Sequence, residues 1–502
     1  MNRLVFCFLS FFLVASSAGS ATAQQFGPAD PIIKNSANLD PKRPLSNELA
    51  TNVADGFTVA TVGDLITSRP MLQYSGTQPA FGEAIELVKG ADVAYGNMES
   101  TIFDARYFQG YPYSWDGDWT NASLPSVAAD LKNMGFDIVS RANNHAMDWG
   151  LDGMRETSKW LDSAGLIHAG AGENKGIARA PQYWENPMGR GRVGLVSFAT
   201  TYRPTTDALD PQGAAPGRAG LSALGLTQTV NVTKDAMAGL AQASCVTYGT
   251  YCNQTPNALT FNGTAYQLAT EFSYTYQPDP DDLAEIYRNI RDGKENSDLL
   301  IVAVHSHECS KWCENPRDKM LPGAFLKDVA HNSLQSGGDV FVTTGIHNLG
   351  PMEIYNVPNR GYRPIFYGLG NFFWSDIQMP LPEDLFAMNS DLLSSTYQYP
   401  ARATQYDLSA PLNKQSYASD FYFQSVIAVS MFSGKQLKQV TLYPVQEGYG
   451  DPLTTSGLPR RVTDKTAGMA IVNQIVTKTS EFGLPPLNPQ WDDTSSAAMV
   501  AP

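Results

Sequence analysis

The chain has 502 residues, 43% of them hydrophobic and 17% charged, a globular composition with room for one large domain or two of ordinary size. A formal net charge of −14 excludes nucleic acid as a partner, because that binding needs a basic face. It also opposes attraction of any polyanion, which would need local cations, from arginine or metal, to overcome the field.

Residues 1–23 read as a signal peptide: Arg3, an apolar run from Leu4 to Ala15, then small residues ending in Ala21-Thr22-Ala23. The run is too short for a comfortable membrane span, and no later stretch is long enough to cross a bilayer. The mature chain is therefore expected to be exported, to the periplasm or the extracellular cell surface. Cys7 would leave with the signal. The remaining Cys245, Cys252, Cys309 and Cys313 form an even set, which in an exported chain favours disulfides. Three pairings exist, and the nearest-neighbour one, 245 with 252 and 309 with 313, is the expectation; a zinc site at Cys309 and Cys313 is the alternative.

Residues 24–55, with Gly27, Pro28, Pro31, Pro41 and Pro44, read as an extended arm. From Phe57 onward short β-branched runs alternate with amphipathic segments. The predicted strands are 57–62, 92–96, 136–140, 192–199, 298–304, 339–344 and 363–368. Helix candidates such as FGEAIELVKG and DPDDLAEIYRNIRDG lie between them. This alternation predicts an α/β domain over 56–485 with crossover connections, whose functional groups gather beyond the carboxyl ends of the strands. Polar, glycine-rich segments at about 203–280 and 379–418 read as insertions. A closing hairpin and a final helix precede a C-terminal tail at 486–502.

Five predicted strands each deliver metal-binding chemistry at their ends. The first ends in Asp64, the second in Asn97-Met98-Glu99, and the third in Arg141-Ala142-Asn143-Asn144-His145 with Asp148. The strand at 298–304 ends in His305-Ser306-His307-Glu308, and that at 339–344 in Thr344-Gly345-Ile346-His347. Mixed oxygen and nitrogen donors from separate strands suit one or two divalent metals, which can bind an anionic or carbonyl oxygen and activate water. Capping explains any one of these residues but not their recurrence. His168 and His331 lack that context and read as structural, and AGAGEN at 169–174 reads as a turn.

The string GD…GNMES…SRANNHAMDWG…VHSHE…GIHNLGPMEIY…PIFYGLGNFFW resembles the CapA family of poly-γ-glutamate capsule biosynthesis proteins, from about Phe57 to Trp374. The resemblance implies a four-layer α/β/β/α sandwich of the calcineurin-like metallophosphoesterase type around a metal centre. It implies Asp64, Glu99, Asn144, His305 and His347 as ligands of Mn, Zn, Mg or Fe, and His145 as the proton carrier; beside them Arg141 would neutralise substrate charge and Asp148 would join the catalytic group. Asn97, His307, Glu308, Glu353 and Asn371 would stand around the metal or against substrate. Two departures bear on this: Thr344 stands where a first histidine of the glycine-histidine block is usual, and Asp64 is followed by Leu65-Ile66 without the Asp-x-His histidine. A single-metal site is the easier one to defend.

Two functions compete. One is an exported metal-dependent hydrolase or transferase, phosphoesterase-like or acting on γ-glutamyl amides, in the biosynthesis of an anionic polymer such as poly-γ-glutamate. The alternative is a non-catalytic subunit that binds, exports or anchors that polymer beside other capsule-synthesis membrane proteins. A third reading, a secreted eukaryotic glycoprotein, rests on sequons at Asn121, Asn231, Asn253 and Asn262.

Overall fold

The structure is a computed structural model that describes residues 49–112, 120–311, 313, 320–375, 383–389, 403–404, 407–408, 419–452 and 454–502. The expected signal peptide, most of the arm and most of the 379–418 segment lie outside the described residues. Among the described residues no helix is long and apolar enough to cross a membrane.

In chain order, β1 (Val53–Thr67) leads through α1 (Pro79–Lys89) to β2 (Val93–Asn97), through α2 (Ser126–Asn133) to β3 (Ile138–Ser140) and through α3 (Gly150–Ala164) to β4 (Ile167–Ala169). A hairpin of β5 (Gln182–Glu185) and β6 (Arg192–Ala199) starts a second series. It continues through α4 (Pro280–Glu295), β7 (Leu299–His305), α5 (Phe325–Gln335) and β8 (Val340–Thr344), then the hairpin β9 (Met352–Val357) and β10 (Gly361–Phe366). The chain returns to the first sheet with β11 (Asn371–Ser375), β12 (Gln424–Gly434) and β13 (Gln436–Gln446). It ends with α6 (Lys465–Glu481), β14 (Gln490–Asp492) and β15 (Ala497–Val500). The residues expected as a tail thus extend the sheet, because β15 pairs with β13 and β14 with β15.

The strands form two large sheets, ordered β14-β15-β13-β12-β1-β2-β3-β4 and β9-β10-β8-β7-β6-β5, with β11 beside the second half of β1. Period-two alternation gives each sheet two apolar faces. Phe57, Val59, Val93 and Tyr95 of the first sheet meet Leu195, Leu299, Ile301 and Val342 of the second. On the outer face of the first, Ala60, Val62 and Val139 meet Phe81, Ile85, Leu131 and Leu161 of α1, α2 and α3. On the outer face of the second, Val196, Val302 and Phe341 meet Ile286, Ile290, Leu326 and Val329 of α4 and α5. The result is the expected four-layer α/β/β/α sandwich. Each aliphatic side chain so enclosed contributes on the order of 1.5–3 kcal/mol.

The 203–280 insertion is not a loop throughout. The strands Ala258–Phe261, Thr264–Leu268, Leu226–Val232 and Ser273–Pro278 make a small sheet, and helix Lys234–Tyr248 packs on it through Met237 and Ala241. Cys245 bonds to Cys252 and Cys309 to Cys313, the nearest-neighbour pairing, which leaves neither CxxxC thiol for zinc.

Candidate metal centre

The parallel registers bring the strand ends together. Asp64 pairs with Asn97, Asn97 with Ser140, and His305 with both Ala199 and Thr344. All are last or nearly last in their strands, so the carboxyl edges of both sheets face one another across the sandwich. A register shift between Thr61 and Asp64 re-aims the end of β1. Gly63 makes this arrangement possible, because a Cβ there would lie 1.7 Å from the carbonyl oxygen of Gly370.

Asp64 is 1% exposed and accepts from Asn97 Nδ2 at 2.8 Å and from the backbone N of Gly345 at 3.2 Å, with His347 Nδ1 at 3.4 Å. Burial works to raise its pKa, but the bond and charge of His347, the charge of His305 and the Asn97 bond together hold it well below the usual carboxylate range. Gly345, at φ +103°, is constrained too: a Cβ there would meet His307 Cδ2 at 2.8 Å and His305 Cε1 at 3.1 Å. Glu99 is 0% exposed, and its Oε1 lies 3.5 Å from His305 Nε2 and 3.9 Å from Nε2 of both His145 and His347.

His305, at the end of β7, places Nδ1 3.0 Å from Thr344 Oγ1 and Nε2 2.8 Å from Asn144 Oδ1. Burial, reinforced by the neighbouring His307, His347 and His145, pushes its pKa well below the ordinary histidine value against the opposing pull of Asp64. The neutral ring that results is the form that ligates metal. His307 Nε2 lies 3.0 Å from His305 Nε2, and His347, at φ +54°, places Nδ1 2.9 Å from Asn371 Oδ1.

Two overlapping sets of donors emerge. Asp64, Glu99 and His305 bring ligand atoms within 4.8 Å of one another, and so do Glu99, His307 and His347, with Glu99 common to both. Two buried carboxylates, Asp64 and Glu99, share this space, and a divalent cation with mixed oxygen and nitrogen ligands would supply positive charge close by. The donor set fits such an ion in each group. His307, expected at the periphery, is therefore among the candidate ligands.

The 141–150 loop divides its tasks. Asn143 donates to Asn97 Oδ1 at 3.3 Å and to the Met98 carbonyl at 2.9 Å, while its own Oδ1 accepts from the His145 backbone N at 3.1 Å. His145 Nδ1 lies 2.7 Å from Asp148 Oδ2. Asp148 also accepts from the backbone N of Asn121 and faces Arg203 Nη1 at 3.4 Å, and burial raises its pKa against the pull of His145 and Arg203. The Asn121 side chain donates to the Glu99 carbonyl at 3.0 Å, so this sequon is a buried structural element.

Three expected site residues are placed elsewhere. Arg141 turns its guanidinium onto α3, donating to Ser158 Oγ at 2.6 Å and the Met154 carbonyl at 3.0 Å, and burial pulls its pKa down to about 10. Glu353 pairs with His331 Nε2 at 2.8 Å, and His331 stacks on Tyr355. Glu308 accepts from Thr200, Thr201 and Ser306 hydroxyls and ties the end of β6 to that of β7. Asn97 and Asn371 stand in the cluster, hydrogen-bonded to Asp64 and His347 respectively. His168 contacts Asp162 at 3.2 Å, and Asn174 of AGAGEN caps a short helix by accepting from Ile177 N at 2.9 Å. Sequence reasoning passed over Arg203, Thr201 and the hydroxyl of Thr344.

Comparison with known proteins adds a family. The family model described as "Bacterial capsule synthesis protein PGA_cap" matches residues 58–375. The chain is similar to "Uncharacterized protein y4sH" of Sinorhizobium fredii (strain NBRC 101917 / NGR234), 38% identical over 469 residues that cover 90% of this chain and 95% of that protein. It is similar to "PGA biosynthesis protein CapA" of Bacillus subtilis (strain 168), 23% identical over 321 residues that cover 63% of each chain. Among solved structures, a hypothetical protein from Thermus thermophilus aligns at 12% identity with a TM-score of 0.34, over 78% of this chain and 100% of that one.

Proposed function

The chain belongs to the bacterial capsule synthesis family PGA_cap, and from that premise we propose that it is an exported protein of poly-γ-glutamate biosynthesis acting as a metal-dependent hydrolase or transferase. The observation that carries the reading is the pair of overlapping donor groups around Glu99. Asp64, Glu99, His305, His307 and His347 would hold one or two divalent cations, with Asn144 turned to the same point through His305. A bound Mn, Zn, Mg or Fe supplies Lewis-acid polarisation of a substrate oxygen and makes hydroxide accessible near neutral pH.

The chain's own groups handle the proton and the orientation. Asp148 accepts at His145 Nδ1, so the tautomer its partner selects carries the proton there and leaves Nε2 directed to the Glu99 side. Nε2 then takes a proton from the attacking group, or gives one to the departing oxygen or amine. Asn143 fixes the backbone of His145, and Arg203 steadies Asp148 from the side opposite the imidazole. An anionic polymer approaching a chain of −14 needs a cationic focus, which a metal held by these residues would provide. Two disulfides support an extracytoplasmic location.

Thr344 favours a second reading, a polymer-binding subunit without turnover, because its hydroxyl stands where a further imidazole is expected. Purified protein supplied with each metal separates the two. Phosphoesters and γ-linked polyglutamate are offered, and turnover and polymer binding are both measured. We expect turnover, with His145→Ala lowering it by roughly 10²–10⁴-fold while polymer binding persists. Asp64→Ala is expected to lose the metal. Polymer binding without turnover under every metal establishes the second reading.

A further inference from the structure

We propose that the Cys309–Cys313 disulfide positions the Glu99–His307–His347 half of the centre, so that this half takes its cation only after the two thiols have been oxidised. The proposal rests on the metal reading above and adds a condition for its completion.

The two halves are held differently. Asp64 is embedded in β1 between β2 and β11, and His305 is the last residue of β7, hydrogen-bonded in register on both sides. Their positions follow from the sheets alone. His307 lies two residues beyond β7 and is tethered on its N-terminal side by its backbone N, which donates to Thr201 Oγ1 at 2.7 Å. On its C-terminal side Glu308, whose carboxylate accepts from the Thr200, Thr201 and Ser306 hydroxyls and whose carbonyl accepts from Gly323 N at 2.8 Å, leads into Cys309. That residue is 0% exposed and packs with Cys313, Met320, Tyr274 and Ile346, the residue immediately before His347. One disulfide therefore backs both histidine-bearing loops. Around it, the strand Cys309–Lys311 pairs with Leu321–Pro322, and the Cys309 carbonyl accepts from Tyr276 OH at 3.2 Å, on the insertion sheet.

Closing a ring across so few residues removes local chain freedom that the two short strands alone cannot suppress. In a reducing compartment the thiols stay apart and His307 and His347 lose their common backing. On oxidation the two thiols give up two protons and two electrons to a dithiol–disulfide exchange partner, whose disulfide becomes a dithiol, and the S–S bond forms. The Asp64–Glu99–His305 half is indifferent to that step. Full loading of the centre is thereby reserved for the exported chain.

The test is titration of metal-stripped, full-length protein with Co²⁺ alone, followed by calorimetry and by the visible absorption of the ion. Four samples are compared: oxidised protein, protein reduced with a trialkylphosphine, Cys309→Ala/Cys313→Ala, and the control Cys245→Ala/Cys252→Ala. The phosphine breaks the S–S bond to two thiols and becomes its oxide, with oxygen from water. Oxidised protein and the control are expected to bind two Co²⁺. The reduced protein and Cys309→Ala/Cys313→Ala are expected to keep one at unchanged affinity and to bind the second about 10–100-fold more weakly. Reoxidation of the reduced wild type restores the second, a readout that does not depend on the variant's folding. Two ions bound at wild-type affinity without the disulfide, or loss of both together, overturns the proposal. A single ion on the oxidised protein overturns it while sparing the metal reading, and no ion at all removes both.

Discussion

Asp148→Asn isolates the contribution of the buried carboxylate to proton transfer. The substitution preserves shape and one acceptor oxygen but removes the charge from a group that is 0% exposed and faces His145 Nδ1 at 2.7 Å and Arg203 at 3.4 Å. A hydrogen bond to a charged group contributes about 1.5–3 kcal/mol, against about 0.5–1.5 for a neutral one. The difference, on the order of 1–1.5 kcal/mol, corresponds to a fall in turnover of roughly 5–12-fold at about 1.4 kcal/mol per decade. An amide that turns its NH₂ toward the imidazole enforces the wrong tautomer and adds to this loss. Breaking a buried ion pair costs about 3–5 kcal/mol. The 3.4 Å separation and the further contacts of Arg203 put this one lower, near ~2 kcal/mol. Metal content should be unchanged, because Asp148 is in neither donor group. The assay is kcat against pH with a chromogenic phosphodiester and Mn²⁺, beside calorimetric metal titration and thermal melting. Wild-type turnover in the Asn variant, or a loss of metal in place of a loss of rate, refutes the proposed role of the His145–Asp148 pair.

Two further outcomes concern buried charge. Burial, with the nearby Asp64 charge, holds the Glu447 carboxyl well above its ordinary value against the pull of Ser425. The stability it contributes is complete below about pH 4.3, where the unfolded chain also keeps the proton, and is lost as pH rises toward the folded value. Glu447→Gln in metal-free protein should therefore match wild type near pH 4 and melt progressively higher than it from pH 5 to 8; a constant difference contradicts this. Asp339 is the reverse case: burial opposes its ionisation, but Lys294, Arg360, Arg363 and Thr51 hold it below the usual range. Its contribution is present above about pH 3.9 and lost as pH falls through the folded value. Asp339→Asn leaves three buried cations behind and should cost at least about 3–5 kcal/mol at pH 7 in urea unfolding; a loss under about 1 kcal/mol contradicts it.

Much of the centre was legible in the sequence because β-strands deliver residues to predictable edges. A polar cluster after each apolar run places Asp64, Glu99, Asn144, His305 and His347 at one rim, and the registers make them neighbours. Alternation within a strand end carries more than was used. Ser140 bonds to Tyr95 OH and Asn97, so Arg141, one residue on, is delivered to the opposite side and meets α3. Met352 enters the inter-sheet core, which sends Glu353 outward to His331 on α5. By the same rule His305 and His307, two residues apart, share a side, and that spacing marks His307 as a companion of His305. Arg203 had no such signal: it lies in an irregular stretch after β6 and reaches Asp148 only through the meeting of the two sheets. The 486–502 segment was misread because two strands of three and four residues carry too little pattern to identify outside the sheet they join.

The departure at Thr344 looks different once the geometry is known. Its hydroxyl meets His305 Nδ1 at 3.0 Å, which settles the ring so that Nε2 points to Asn144 and Glu99. The imidazole absent from the end of β8 has a counterpart two residues past the end of β7, where His307 joins Glu99 and His347. Because β7 and β8 are parallel neighbours with His305 opposite Thr344, moving a ligand from one strand end to the next displaces it by little more than the spacing between strands, about 4.8 Å. A donor set built on convergent strand ends can therefore draw one ligand from the neighbouring strand, at a point displaced by about that spacing. The threonine is then the orienting partner of a histidine, and the second donor group is completed from the adjacent loop.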